Sequence, residues 1–178
     1  LSRLVGSEMC IRDRYVDDVF KNYYGTTLNL NEFQNKIDTI KKRYESEGYS
    51  LARIKGPDRI NENGIVKLNV TEGIVSDVQL RFLGTDGESS IDGEPRKGKT
   101  KDWVIKRELK TQPGSIFNRK ILEADIRRLY ATSLFDDVKV SLGPDSSNPG
   151  RVIIFLDLSE QRTGSVSYTH LRAHETAQ

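Results

Sequence analysis

The stretch Asn118 to Glu160 constrains this chain most. It reads as a helix, a strand, a polar turn and a second strand. Ile121, Leu122, Ile126, Leu129 and Tyr130 recur at helical spacing, so one side of that helix needs a sheet to cover it. Val138, Val140 and Leu142 alternate, as in a strand with one buried face. Val152 to Leu158 is apolar almost throughout, as in a strand flanked on both sides. Helix and strands of this kind point to an α+β class.

At 178 residues the chain suffices for one medium domain or two small ones. No apolar run approaches the roughly 20 residues of a membrane-spanning helix, and a formal charge of +2 argues against a dedicated nucleic-acid binder. Both ends are set aside. Leu4 to Arg14 and Val166 to Thr176 resemble translated sequencing-adapter read-through, and such segments do not enter fold reasoning. They hold Met9, Cys10, His170 and His174, so the H-x-x-x-H pair that would suggest zinc on a helix goes with them. The remainder, Tyr15 to Ser165, has no Cys, His or Met. That removes thiol nucleophiles, most zinc sites and imidazole bases. The expected organisation is a truncated unit over 15–73, a complete unit over 74–161 and the start of a linker over 162–165, between ends 1–14 and 166–178.

In chain order, Leu30, Phe33, Ile37, Ile40 and Tyr44 form one helical stripe, with Asn31 and Gln34 placed as a capping box and Gly48 as the closing residue. Tyr49 to Ile54 reads as a short strand, Gly56-Pro57-Asp58 and Asn61 to Gly64 as turns, and Ile65 to Val70 as a strand. Val75 to Leu83 is a further strand and Gly84 to Lys99 a solvated loop. Thr100 to Lys110 is a short helix capped by Thr100, with Trp103 packed into the core. A repeat then emerges. Leu30, Ile40, Tyr44, Tyr49 and Ile54 recur as Ile116, Ile126, Tyr130, Phe135 and Val140, about 86 residues on, and Glu72 recurs as Glu160. Each copy reads strand, helix, helix, strand, strand. The first copy is expected to lack its opening strand and most of its first helix.

GYSLARI, TEG, VIKRELKTQPGSIFN, ADIRRLYATSLFDDV and a terminal SE together resemble POTRA domains, the polypeptide-transport-associated modules of the outer-membrane BamA superfamily. The most similar branch is the cyanobacterial assembly factor with its plastid Toc relatives. Gly98-Lys99-Thr100, Ile105 with Arg107-Glu108-Leu109, and Leu129 to Val138 carry that part of the likeness. The family often has glycine where this chain has Ser133. Arg162 to Ser167 is similar to the family's passage into a β-barrel.

The resemblance implies tandem β-α-α-β-β units, each a three-stranded mixed sheet with two helices on one face. It implies a docking module on the periplasmic side of an outer membrane, or at the plastid outer envelope, in a β-barrel assembly or translocation factor. A plastid import channel and a two-partner secretion transporter are the alternatives. Implied partners are unfolded outer-membrane or precursor polypeptides, accessory assembly proteins and a C-terminal β-barrel outside this chain, with no nucleic acid, no cofactor, no metal and no catalysis. In the family order the last strand is central, which makes the middle strand an edge able to pair with a client strand. That edge is Phe135, Asp136, Asp137, Val138, Lys139, Val140, Ser141 and Leu142, and a second is Tyr49, Ser50, Leu51, Ala52, Arg53 and Ile54. Proline at Lys139 is expected to weaken client binding while the fold survives. The basic run Arg96, Lys97, Lys99 and Lys101 is a solvated loop, or else a contact for anionic lipid or an acidic partner.

A sharper reading, that of a P-loop NTPase, competes with this one. Gly93 to Thr100 fits G-x-x-x-x-G-K-[ST], and Val152 to Asp157 imitates an apolar strand ending in a magnesium-binding Asp. A phosphate loop needs a buried strand leading straight into it, whereas roughly ten polar residues separate Leu83 from Gly93. Asp136, Asp137, Asp157 and Glu160 are expected to be strand-end charges, with Glu72 and Glu160 structural.

Overall fold

The computed structural model describes residues 3–5, 10–27, 29–55 and 65–161. The first unit comprises β1 (Arg3–Val5), α1 (Cys10–Phe20) running into a 3-10 turn (Lys21–Tyr23), α2 (Leu30–Ser46), β2 (Arg53–Lys55), β3 (Ile65–Lys67) and β4 (Asn69–Thr71). Strands β3 and β4 are two halves of one run divided at Leu68. Parallel pairing joins β1 to β3, and antiparallel pairing joins β2 to β4. The second unit comprises β5 (Ile74–Phe82), a small hairpin of β6 (Ser90–Ile91) and β7 (Glu94–Pro95), α3 (Asp102–Lys106), α4 (Arg119–Ala131), β8 (Phe135–Pro144) and β9 (Arg151–Glu160). Its sheet runs β5-β9-β8, with β5 parallel and β8 antiparallel to the central β9. Both units thus repeat one topology, in which the last run lies between the first strand and the middle one. Each has its own core. One gathers Phe20, Phe33, Ile37, Ile40 and Val66, the other Val75, Ile105, Leu129, Ile154, Leu156 and Leu158.

The first unit is fuller than the sequence suggests. A three-residue strand pairs in the opening position, and an 11-residue helix precedes α2. Strand β1 and the first half of α1 lie within the end 1–14 that the sequence reading sets aside, and a short parallel strand asks only for backbone groups in register. Met9, the turns within Gly56 to Gly64, Arg162 to Ser167, His170 and His174 lie outside the described residues.

Helix α2 begins two residues earlier than the sequence suggests. Asn29, not Asn31, is its N-cap, accepting from the amides of Asn31 and Glu32 at 3.0 and 3.4 Å. Leu30 therefore falls in the first turn and is 70% exposed, so the buried stripe is Phe33, Ile37, Ile40 and Tyr44. The helix closes through Gly48 at φ +100°, and the Tyr49 amide reaches back to the Tyr44 carbonyl at 2.8 Å. That closure leaves Tyr49 to Ala52 as a turn, with the Ala52 amide on the Tyr49 carbonyl at 3.1 Å. The expected strand over Tyr49, Ser50, Leu51, Ala52, Arg53 and Ile54 thus shrinks to Arg53–Lys55.

Helix α4 is capped by Asn118, which accepts from the amides of Lys120 and Ile121. It buries Leu122, Asp125 and Leu129, while Ile121 and Tyr130 stand on its exposed flank. The helix ends near Ser133 at φ +55°, the left-handed region that glycine enters without steric cost. Helix α3 starts after Lys101 with no side-chain cap, so Thr100 does not cap it. Trp103 is not core: it is 63% exposed, with the Arg107 guanidinium 5.5 Å from its ring centre. Ile105 and Leu109 fill the buried positions instead.

The two units meet where α2 ends and α4 begins. Asn118 donates through Nδ2 to the Glu47 carbonyl at 3.0 Å, and the Arg119 amide donates to the Gly48 carbonyl at 2.8 Å. Unsatisfied carbonyls of one helix end thereby meet unsatisfied amides of the other, an alignment the helix dipoles favour. A Cβ on Gly48 would lie 2.3 Å from Asn118 Oδ1, so glycine is required there by contact as well as by φ.

Candidate strand-docking edge

Among the described residues β8 pairs only with β9, so its other side is open. Register decides which groups it presents. The Val138 amide donates to the Tyr130 hydroxyl at 3.0 Å, hence away from β9. Antiparallel pairing alternates inward and outward amides, so those of Val140 and Leu142 also face outward, while those of Lys139 and Ser141 serve the ladder with β9. Pro144 has no amide hydrogen and ends the strip. A register shift between Phe135 and Asp137 leaves Asp136 unpaired and exposed. The consequence corrects the expectation for Lys139: proline there would remove a bond inside the sheet. Position 140 is where proline blocks only the open side.

The edge is dressed by its neighbours. Tyr130 Oη donates to Asp137 Oδ1 at 3.0 Å, and Lys139 Nζ stands 3.4 Å from Asp137. The tyrosine hydrogen bond, helped by Lys139, holds the Asp137 carboxyl below its ordinary pKa. Val138 is buried, Val140 half-buried and Leu142 43% exposed, so apolar exposure rises toward the far end of β8. On the sheet face away from the helices, the Arg81 guanidinium lies 4.5 Å from the Phe155 ring centre. It is held there by Asp157 at 2.6 and 3.1 Å and by Ser141 Oγ at 3.1 Å. Beyond β8, Asp145 accepts from the Ser76 hydroxyl and from Asn148 Nδ2 at 2.8 Å. These donors, Ser76 foremost, lower its pKa to about 2.

The other sequence-predicted residues are dispersed. Arg53 and Ile54 lie in β2, which pairs only with β4 among the described residues, whereas Leu51 packs on the second core. Arg96 is tied to Asp86 at 2.7 Å, and Lys97, Lys99 and Lys101 are exposed. This basic run lies beside Glu160, whose carboxylate accepts from the amides of Lys99 at 2.9 Å and Thr100 at 2.6 Å. Burial pushes the Glu160 pKa up, but these amides outweigh it and hold the group below its ordinary value. Amides that would cradle a phosphate are therefore occupied by a carboxylate, and the helix that follows is only five residues long. Gly98, which completes the phosphate-loop pattern, has a packing reason: a Cβ there would lie 2.1 Å from Phe82.

Sequence reasoning misses one residue that builds this site and one that braces the helix beside it. Tyr130 reads as part of an apolar stripe but spends its hydroxyl on β8. Asp125, to which the sequence reading gives no role, is fully buried beneath the same helix, accepting from the amides of Lys110 and Thr111 at 3.0 and 2.8 Å and pairing with Arg128.

Comparison with known proteins gives concordant matches. The family model described as "POTRA domain, ShlB-type" matches residues 4–73, and the POTRA model described as "Surface antigen variable number repeat" matches residues 87–161. The N-terminal domain of Omp85 from the thermophilic cyanobacterium Thermosynechococcus elongatus aligns with a TM-score of 0.79 and 38% identity, over 92% of this chain and 67% of that one. Outer envelope protein 80, chloroplastic, of Oryza sativa subsp. japonica is 26% identical over 154 residues, 86% of this chain. Outer membrane protein assembly factor BamA of Buchnera aphidicola is 33% identical over 148 residues, 79% of this chain. The chain spans 22% of the length of each of these two relatives.

Proposed function

The chain belongs to the POTRA-domain family of Omp85-type proteins, and from that premise we propose that its second unit docks extended polypeptide clients along the open side of β8. The parent protein is read as an outer-membrane β-barrel assembly or protein-translocation factor, with this region at the periplasmic or plastid-envelope face. The names of the relatives support that reading, one being an outer envelope protein and another an outer membrane protein assembly factor. Unfolded barrel or precursor polypeptides are the clients, and accessory assembly proteins and a C-terminal barrel are the further partners.

The observation that carries the reading is the parity of β8. Two outward amides, at Val140 and Leu142, stand with their carbonyls beside half-exposed apolar side chains. Main-chain hydrogen bonds of this kind are nearly blind to sequence, which suits a receptor for many clients. The role is binding rather than catalysis, and the Glu160 carboxylate on the Lys99 and Thr100 amides supports that.

Two proline variants test the reading. Val140→Pro removes one outward amide and is expected to weaken binding of an unfolded barrel-strand peptide by about tenfold while the fold persists. Lys139→Pro removes a ladder bond and is expected to lower the unfolding temperature instead. A folded Val140→Pro variant with undiminished affinity would contradict docking at this edge.

A further inference from the structure

The far end of β8 does not run out into solvent. It opens onto a cleft of about 440 Å³ between the two units, walled by β2 on one side and by the ends of β8 and β9 on the other. Leu51, Leu142, Pro144 and Val152 supply its apolar surface, and Arg53, Lys55 and Arg151 its rim. All three cations are exposed, and among the described residues none of them is ion-paired. Glu72, the only carboxylate among the described lining residues, already has a partner. Among the described residues, then, the rim carries positive charge without an ion pair over an apolar floor, whereas Arg43, Arg81, Arg96 and Arg119 each stand beside a carboxylate.

Spacing narrows the occupant. Ile54 is buried, so Arg53 and Lys55, its neighbours on β2, both project to the other face of that sheet. Side chains at i and i+2 of a strand lie roughly 7 Å apart, which is also the interval between alternate side chains of any extended partner. We propose that this cleft binds an extended polypeptide segment carrying acidic side chains at alternate positions, with the apolar residue between them seated on Leu51, Leu142 and Val152. The site deepens the docking reading and rests on it for taking the occupant to be an extended chain. A client leaving the amides of Val140 and Leu142 would pass directly into the cleft, so the first unit would contribute charge selection to an edge that by itself selects little.

The test uses the whole chain and a short peptide with Glu at alternate positions and apolar residues between, beside its twin with Gln for every Glu. The acidic peptide is expected to bind at least about tenfold tighter, since close charge pairs at an interface contribute on that scale. Arg53→Glu with Lys55→Glu, and separately Arg151→Glu, should abolish that preference without lowering the unfolding temperature, because all three residues are exposed. Equal affinity for the two peptides overturns the proposal, as does a preference that survives charge reversal. Tighter binding to vesicles of anionic phospholipid than to the acidic peptide overturns it too, by assigning the charge to a lipid surface. Val140→Pro separates this site from the edge. If it weakens both peptides alike and leaves the preference intact, edge and cleft both stand. If it changes neither affinity while charge reversal still abolishes the preference, the edge reading fails and the cleft stands.

Discussion

Asp125 shows how far a single residue reaches in this fold. Its carboxylate is fully buried, binds the two amides that close the chain after α3, and pairs with Arg128, which in turn donates from Nε to the Glu108 carbonyl at 2.8 Å. Replacing it leaves two amides without their acceptor and the half-buried Arg128 guanidinium without its carboxylate. Asp125→Ala is therefore expected to cost about 3 kcal/mol in urea unfolding, and a loss below about 1 kcal/mol would show that the loop finds other acceptors. Nothing in the sequence marks this residue, because two of its partners are backbone amides, which residue type does not reveal. Gly48 was legible, since glycine at a helix exit points to a left-handed residue; Ser133 was not, because serine in place of the family's glycine suggests a different closure, yet it takes φ +55°. Trp103 was misread for want of length: five helical residues give periodicity too little to choose a face.

For elements, legibility divides between identity and parity. The alternation of Val138, Val140 and Leu142 and the near-continuous apolarity of Val152 to Leu158 suffice to name an edge strand and a central one, and the sheet order β5-β9-β8 agrees. Which amides of β8 face outward depends on the irregularity at Asp136 and on Tyr130 reaching over from α4, and neither has a sequence signal. The β8–β9 turn adds a pH dependence. Asp145 titrates at about 2 when folded, below its ordinary carboxylate value, because Ser76 and Asn148 donate to its charged form. A carboxyl depressed on folding adds stability above its unfolded pKa and loses it as pH falls through the folded one. The stability that Asp145 adds should thus be intact near neutrality and disappear between about pH 4 and pH 2. Unfolding of the wild type and Asp145→Asn across that range checks this: the gap between them should close toward pH 2, and a constant gap would contradict it.

Taken whole, the molecule is two copies of one topology locked end to end. Asn118 caps α4 while donating to the last turn of α2, so a single side chain sets the start of one unit against the end of the other. The repeat was visible in sequence, but the joint was not, and neither was the cleft. Arg53 and Lys55 stand on one unit and Arg151 on the other, so only the folded joint brings them to one rim. The central claim, that β8 receives an extended client, is tested most directly by residue-resolved amide hydrogen exchange with and without an unfolded barrel-strand peptide. The amides of Val140 and Leu142 are expected to exchange freely in the chain alone and to slow by at least about tenfold in the complex, while Val138, already held by Tyr130, changes little. Peptide binding that leaves the Val140 and Leu142 amides as exchangeable as before would contradict it.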